Sequence, residues 1–337
     1  MKNNNKQLYL KKDNPNIDES KEFIINARKY LGNKTNFITL INQVIDENHL
    51  NFNSVMELCM GTGVLSYYFA ENGKKVIAND LLPLNFILGK AFMSMKRHID
   101  KKKIIELIEY CNKIQGRKGE LTIRFGDKFT SKNVSSKADA IIKFLKDNKE
   151  INKYEKYYIV SSLILALEKA SEIDSDYLGL ERLEAQEPEK LILKPLKTLP
   201  NNNVQVVNGD AIKLVKEQKA DLVIIDPPFD DSNYSDYMVY PEQVVELACP
   251  EIQKPSKSDF YNKEKVKKAF TELIENLDAK YLMFWYSNDG IVSKEHLKEV
   301  IKRKFGRVVI YDIIRKEGLH LVRNEPKTDF MILGVKK

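Results

Sequence analysis

Residues 55–64 read VMELCMGTGV, and this stretch decides the fold. Val55–Cys59 is short and mostly apolar, as a buried strand is, and the glycines Gly61 and Gly63 follow it directly. The apolar stretch Val64–Ala70 then has the length of a short helix. Glycines at a strand-to-helix turn let a ligand approach the backbone and the helix N-terminus. The segment therefore predicts the start of an α/β sheet with a ligand site at this turn.

The next strand along the chain indicates what the ligand is. Lys75–Ala78 is a second strand, which stops at Asn79-Asp80. Asp80 lies 23 residues past Glu57, where an acidic side chain accepts hydrogen bonds from ribose hydroxyls. A dinucleotide site favours a third glycine at position 66, where this chain has Ser66. The pattern favours an adenosine-type ligand, and a turn without a ligand is the alternative.

The alternation of strands with turns and helices, seen in residues 55–80, returns near the end of the chain. The predicted strands there are Val204–Val207, Asp221–Ile225, Tyr281–Tyr286 and a closing antiparallel pair, Arg307–Arg315 and Asp329–Lys336. Their continuous apolar runs are typical of strands buried on both faces. The chain is therefore predicted to be an α/β protein with a doubly wound, Rossmann-like sheet.

Between these two strand-containing regions the alternation of strands and helices is absent. Residues 96–200 read as helices separated by polar loops, with helices predicted at Ile104–Ile114, Ala138–Lys146 and Tyr157–Ser171. Residues 96–156 hold 17 Lys and Arg against 9 Asp and Glu, a net charge of +8. We expect a basic, mainly helical domain at 96–200, inserted into a sheet domain made of 21–95 and 201–337. The Asn- and Lys-rich residues 1–20 are expected to be a flexible tail.

Composition limits the classes of protein that this chain can be. Of its 337 residues, 43% are hydrophobic and 31% are charged, which suits a packed protein. No apolar run reaches the roughly 18–20 residues of a membrane helix, and the start lacks the apolar core of a secretory signal. Three scattered cysteines favour a reducing, cytoplasmic compartment and no zinc site. The net charge of +7 allows a polyanionic partner without requiring one.

The sharpest motif is the turn after the predicted strand Asp221–Ile225. Asp226, Pro227, Pro228 and Phe229 follow that strand, at the sheet edge where α/β sites form. Two consecutive prolines remove two N–H donors, so the turn offers only acceptors beside an aromatic ring. An amino group on a flat ring fits both features.

Together these motifs resemble those of the D12 class of DNA adenine-N6 methyltransferases, the Dam-like type. Residues 226–229 match its D-P-P-Y/F catalytic motif, residues 57–63 its D/E-x-F-x-G-x-G motif, and residues 79–80 its N-D. Residues 28–34, RKYLGNK, resemble its N-terminal aromatic-x-G-x-K element. Two positions depart from the family pattern: Cys59 replaces the usual Phe beside the cofactor, and Phe229 replaces the commoner Tyr.

The resemblance implies a fold, a cofactor and roles for named residues. The cofactor is S-adenosylmethionine, and the residues implied to bind it are Tyr30, Lys34, Glu57, Cys59, Gly61, Gly63, Asp80 and Asp210. The Asp226 carboxylate and the Pro227 carbonyl are implied to accept the two hydrogens of adenine N6, with Phe229 stacking on the base. No metal is expected.

The partner expected from the resemblance is double-stranded DNA. The target base must be flipped out, and a basic surface must bind phosphates. The candidate DNA-binding residues are Lys101, Lys102, Lys103 and, after the catalytic turn, Tyr234. The chain is expected to be the modification enzyme of a restriction–modification system or a solitary methylase, and any restriction endonuclease partner would be a separate polypeptide. Methylation of RNA, methylation of cytosine N4 and a non-catalytic DNA-binding subunit remain the alternatives.

Overall fold

The structure, a computed structural model, describes most of the chain. It covers residues 5–10, 21–28, 33–95, 98–171, 190–200, 203–229, 238–252, 258–315 and 329–336. No helix in these ranges combines the length and the apolar composition needed to cross a membrane.

The described residues form an eight-stranded mixed sheet. Its strands are β1 Asn5–Leu10, β2 Ser54–Glu57, β3 Lys75–Asp80, β4 Val204–Asn208, β5 Leu222–Ile225, β6 Tyr281–Ser287, β7 Arg307–Arg315 and β8 Asp329–Val335. They lie in the order β1-β7-β8-β6-β5-β2-β3-β4. All neighbouring strands are parallel except the two pairs that β8 makes with β6 and β7. The predicted doubly wound sheet and its closing antiparallel pair are confirmed.

The strand order places a crevice between β2 and β5. The chain continues from β2 to β3 and β4 on one side, and from β5 to β6 on the other. Because the order reverses there, the loops after β2 and β5 diverge and open a crevice at the carboxyl edge. Glu57, the last residue of β2, pairs with Ile224 near the end of β5. The glycine loop and the Asp226 turn are therefore neighbours.

Helices cover both faces of the sheet. They are α1 Ile38–Glu47, α2 Val64–Glu71, α3 Pro83–Met93, α4 Lys101–Lys113, α5 Glu120–Phe125, α6 Lys132–Asp147, α7 Lys153–Ala170, α8 Ala211–Glu217, α9 Val239–Ala248, α10 Val266–Asn276 and α11 Lys294–Lys304. Strand β5 shows how the faces divide, since successive side chains point to opposite faces. Leu222 and Ile224 join the apolar cluster with α1–α7 and α9, while Val223 and Ile225 join the cluster with α8, α10 and α11.

Capping side chains set where the helices of residues 98–171 begin. The Asn152 side chain accepts hydrogen bonds from the N–H groups of Tyr154 and Glu155, at 2.8 and 3.1 Å. The Glu155 carboxylate accepts one from the Asn152 N–H at 2.9 Å, which completes a capping box. Helix α7 therefore begins at Lys153, four residues before the predicted start.

Helix α7 packs against the rest of the α/β fold. It lies on α3 and α9, and Ile159 and Leu163 are fully buried in the same apolar cluster as β5 side chains. This helix belongs to the layer that covers the sheet. The helical character predicted for 96–200 is present in α4–α7, and the domain division there stays a prediction.

The prediction of a flexible tail at residues 1–20 is wrong for part of that range. Asn5–Leu10 forms β1 and pairs in parallel with β7 along its whole length. Leu8 is buried, and Lys6 forms an ion pair with Glu47 at 3.0 Å. The segment is too short and polar to predict a strand, and its partner lies some 300 residues further along the chain. Residues 11–20 lie outside the described residues.

Candidate functional site

The loop after β2 has a backbone that favours glycine. Gly61 and Gly63 have φ of +53° and +78°, in the left-handed region that other residues rarely adopt. The Gly63 N–H donates to the Met60 carbonyl at 2.8 Å, which closes the turn. A Cβ on Gly63 would also lie 3.2 Å from the Met93 Cε atom. The conformation explains both glycines, and close packing is a second reason at Gly63.

Glu57 lies beneath this loop. Its side chain is 3% exposed, and one carboxylate oxygen accepts hydrogen bonds from the Ser66 N–H at 3.0 Å and the Ser66 hydroxyl at 2.5 Å. Burial, opposed by these hydrogen bonds and assisted by the charges of Asp226 and Asp80, raises the pKa of Glu57 to about 8. Glu57 thus ties the end of β2 to the first turn of α2, which positions the loop.

Asp80 binds the same loop from the neighbouring strand. One carboxylate oxygen accepts a hydrogen bond from the Gly61 N–H and the other from the Leu82 N–H, both at 2.8 Å. Burial raises the pKa of Asp80, while these hydrogen bonds, the Asn85 side chain and the charge of Arg28 lower it. The Asn85 side chain is a third donor to this carboxylate, which leaves one of its roughly four acceptor positions for a ribose hydroxyl.

Asn79 and Asp210 fix the neighbouring strand ends. The Asn79 amide donates to the carbonyls of Leu58 and Gly209, at 2.9 and 3.1 Å, and so joins the loops after β2 and β4. One Asp210 oxygen accepts from the N–H groups of Ile212 and Lys213, which caps α8. Asp210 therefore has a structural role beside the cofactor contact that the sequence predicts.

Asp226 stands at the end of β5 with its side chain 30% exposed. Its carboxylate forms an ion pair with the ammonium of Lys34, which is 16% exposed and also lies 5.2 Å from the centre of the Phe37 ring. Pro227, the next residue, is buried. Two residues far apart in sequence, each predicted to belong to the site, are thus in direct contact.

The Phe229 backbone is anchored to the end of β6 and to the loop that follows it. Its carbonyl accepts hydrogen bonds from the Ile291 N–H at 2.9 Å and the Tyr286 hydroxyl at 3.3 Å. The Phe229 ring is partly buried against the apolar cluster that contains Val223 and Ile225. These contacts hold the turn in place and leave part of the ring accessible.

The crevice is acidic. Burial, with the charges of Asp80, Asp226, Glu57 and Asp210 in that order, raises the pKa of the Cys59 thiol well above its usual value. All four carboxyl groups therefore lie around one side chain at the carboxyl edge. Such a site favours a cationic ligand. No group of three His, Cys, Asp or Glu in the described part of the chain is arranged to hold a metal.

The predicted DNA-binding lysines differ in their surroundings. Lys101 and Lys102 are exposed in the first turn of α4. The Lys103 ammonium donates to the Glu150 carbonyl at 2.7 Å and to the Glu155 carboxylate at 2.8 Å, so it is bound within the protein. Tyr30 and Tyr234 lie outside the described residues.

Sequence reasoning missed three buried polar residues behind the crevice. Arg28, Asn85 and Glu168 are each no more than 3% exposed, and Arg28 contacts the other two. Arg28 directly precedes the aromatic-x-G-x-K element, and only nine of the 55 basic residues are Arg. The rarity of arginine and the position of Arg28 beside this motif could have drawn attention to it. Its two partners could not be predicted, because they lie 57 and 140 residues away along the chain.

Curated proteins similar to this chain include bacterial modification methylases and type II methyltransferases. The modification methylase StsI of Streptococcus sanguinis is 26% identical over 306 residues, which is 81% of this chain and 46% of that protein. The type II methyltransferase M.NlaIII of Neisseria lactamica is 25% identical over 278 residues, 77% of this chain and 81% of that protein. The chain thus spans about half of StsI and about four fifths of M.NlaIII.

A solved SAM-dependent methyltransferase from Agrobacterium tumefaciens is 10% identical, with a TM-score of 0.36 over 90% of this chain and 62% of that one. The profile of the D12 class of N6 adenine-specific DNA methyltransferases matches residues 30–300. That range includes the glycine loop, Asp80 and the Asp226 turn. With the strand order and these contacts, it shows that the chain belongs to the D12 class of N6 adenine-specific DNA methyltransferases.

Proposed function

We propose that this chain transfers the methyl group of S-adenosylmethionine to N6 of an adenine flipped out of duplex DNA. The observation that carries the proposal is the acceptor turn Asp226–Phe229, held at the switch point of the sheet beside the glycine loop and Asp80. Family membership and the names of the relatives support it.

The crevice suits S-adenosylmethionine as the methyl donor. Gly61 and Gly63 open the backbone at the N-terminus of α2, Asp80 has lone pairs for ribose hydroxyls, and the surrounding carboxylates favour a positive charge. The cofactor supplies a methyl group already activated on a sulfonium sulfur. The protein therefore needs to bind and align the reactants, which contributes about 7–11 kcal/mol in favourable cases.

The Asp226 turn acts on the nucleophile. The N6 lone pair of adenine is delocalised into the ring, so N6 is a weak nucleophile. The Asp226 carboxylate and the Pro227 carbonyl accept the two amino hydrogens, which localises that lone pair for attack. The N6–CH₃ bond forms as the S–CH₃ bond breaks, and N6 then releases a proton to solvent. Phe229 stacks on the base.

DNA binds across the crevice and the basic helical segment, residues 96–156. Flipping the base costs a few kcal/mol, which phosphate contacts offset. Lys101 and Lys102 are the exposed candidates among the predicted lysines. The proposed setting is the cytoplasm, with the chain either as the modification enzyme of a restriction–modification system or as a solitary methylase. The first setting agrees with the name modification methylase that one relative carries, and an endonuclease would then be a separate polypeptide.

The test is tritiated methyl incorporation by the purified full chain. Duplex DNA, single-stranded DNA, structured RNA and DNA lacking adenine are compared. Incorporation into adenine N6 of duplex DNA, found by nucleoside analysis, supports the proposal. Incorporation into RNA or into cytosine overturns it.

A further inference from the structure

A buried polar network lies behind Asp80. The Arg28 guanidinium donates to the Asn85 side-chain oxygen at 3.1 Å and forms an ion pair with Glu168 at 3.4 Å. The Asn85 side chain in turn hydrogen-bonds to the Asp80 carboxylate. Arg28, Asn85 and Glu168 are 3%, 1% and 2% exposed. The network therefore runs from the cofactor crevice to the last turn of α7 without contact with bulk water.

The network joins three parts of the chain that are distant in sequence. Arg28 lies before α1, Asn85 lies in the first turn of α3, and Glu168 lies near the end of α7. A buried charge is costly unless it is paired and hydrogen-bonded. Glu168 supplies the opposite charge for Arg28, and Asn85 passes a hydrogen bond on to Asp80. The Arg28 guanidinium is thus connected both to helix α7, through Glu168, and to the predicted ligand-binding carboxylate of Asp80, through Asn85.

Burial and the charge of Arg28 have opposite effects on the ionisation of Asp80. Burial raises the pKa of Asp80, and the positive charge of Arg28 lowers it. The charges of Asp80 and Asp226 raise the pKa values of Glu57 and Cys59, so these acidic groups lie close enough to Asp80 to interact with it. The positive charge of Arg28 favours the ionised form, which has an acceptor position left for a ribose hydroxyl.

We propose that Arg28 is a positioning residue, which through Asn85 holds the Asp80 carboxylate in its ribose-binding state and through Glu168 ties that state to helix α7. The proposal rests on the proposed function, since it takes the ligand of Asp80 to be the ribose of S-adenosylmethionine. It adds a role for α7, a helix that begins in the basic helical segment, in cofactor binding.

The experiment measures binding of S-adenosylhomocysteine by calorimetry to the full chain. The variants are Arg28→Met, Glu168→Met and the double variant, each with its thermal unfolding midpoint. Arg28→Met should weaken binding about tenfold, as loss of an outer-shell partner does at other sites. It should also unfold at a lower temperature, because it leaves the Glu168 charge buried and unpaired.

The double variant separates positioning from packing. Replacing both members of a buried ion pair by Met removes the unpaired charge, so the unfolding midpoint should recover. Affinity should stay about tenfold weaker, because Asp80 still lacks the cation. Recovery of affinity together with stability would overturn the proposal, as would wild-type affinity in a folded Arg28→Met variant.

The pH dependence of binding gives a second readout. Without Arg28, the loss of affinity towards low pH should begin at a higher pH, because Asp80 protonates more easily. Arg28→Lys keeps the charge and should restore the wild-type pH profile. Glu57, Cys59, Asp210 and Asp226 remain in every variant, so the difference between profiles reports Arg28. An identical profile in Arg28→Met contradicts the proposal, whereas a wild-type chain that binds no S-adenosylhomocysteine contradicts the proposed function itself.

Discussion

The ammonium of Lys34 forms an ion pair with the carboxylate of Asp226, and so joins the segment before α1 to the turn after β5. The resemblance to D12 methyltransferases places Lys34 at the methionine end of the cofactor and Asp226 at the target amino group. Their contact means that the two halves of the predicted reaction site meet at one ion pair. Asp226, for which contact with adenine is proposed, is thus paired with a cation.

We expect Lys34→Met to lower turnover by about tenfold. The effect is moderate because both side chains are partly exposed and solvent screens the pair. Lys34→Arg keeps the charge and should retain more activity. Steady-state methylation assays measure both, with exposed Lys298→Met on α11 as the control. Equal activity of Lys34→Met and wild type would show that the ion pair does not assist Asp226.

Asp226→Ala should reduce methyl transfer by at least about 10²–10³, the usual effect of removing one preorganised hydrogen-bonding group. Binding of S-adenosylhomocysteine should change little, because the loss is at the nucleophile. Single-turnover assays and calorimetry on the same preparation test both parts. Normal turnover in this variant would exclude the proposed role of Asp226.

Asp80→Ala should weaken the binding of S-adenosylhomocysteine and also lower stability. The variant loses the ribose acceptor and leaves the N–H groups of Gly61 and Leu82 without their carboxylate partner. An unsatisfied buried N–H group costs about 1–3 kcal/mol. Calorimetry measures the affinity, and chemical denaturation measures the free energy of unfolding. Unchanged affinity would refute the ribose assignment.

Glu57→Gln should change how stability depends on pH. The folded-state pKa of Glu57 is about 8, above its ordinary value of 4.5. Between these values the folded state binds more protons than the unfolded chain. The free energy of unfolding therefore falls as pH rises, by at most about 1.4 kcal/mol per pH unit from this group.

The Glu57→Gln variant has no carboxyl group that can bind or release a proton at this position. Its unfolding midpoint should rise relative to wild type as pH increases from 5 to 8, and thermal denaturation at several pH values measures the difference. Parallel curves for the two proteins would show that Glu57 is ionised in the fold.

Lys101→Glu together with Lys102→Glu should weaken DNA binding and flatten its dependence on salt. Each lost phosphate contact reduces the slope of log affinity against log salt by about 1. Lys103 is left intact, because its bonds to Glu150 and Glu155 hold the start of α7. Lys298→Glu with Lys302→Glu is the matched control, since α11 packs on the other face of the sheet. An unaltered salt slope in the α4 variant would place the DNA-binding surface elsewhere.

The sequence determined which segments of the α/β core are strands and which motifs follow them, because hydrophobic periodicity and turn residues are local signals. A strand predicted at Val55–Cys59 and observed at Ser54–Glu57, the glycine loop, Asp80 and the Asp226 turn could all be recognised from short stretches. The carboxyl ends of parallel strands meet at one edge of the sheet, so the proximity of these residues could also be predicted. Helix starts were less well predicted, since caps such as Asn152 lie outside the apolar pattern of their helices.

Only the tertiary structure decided which distant side chains share one environment. β1 is a strand because β7 offers a free edge, and a short polar segment does not contain that information. The ion pair of Lys34 with Asp226 and the burial of Arg28 between Asn85 and Glu168 depend on packing between elements far apart in the chain. Burial also moved the pKa of Glu57, because desolvation is a property of the folded interior and not of any residue type.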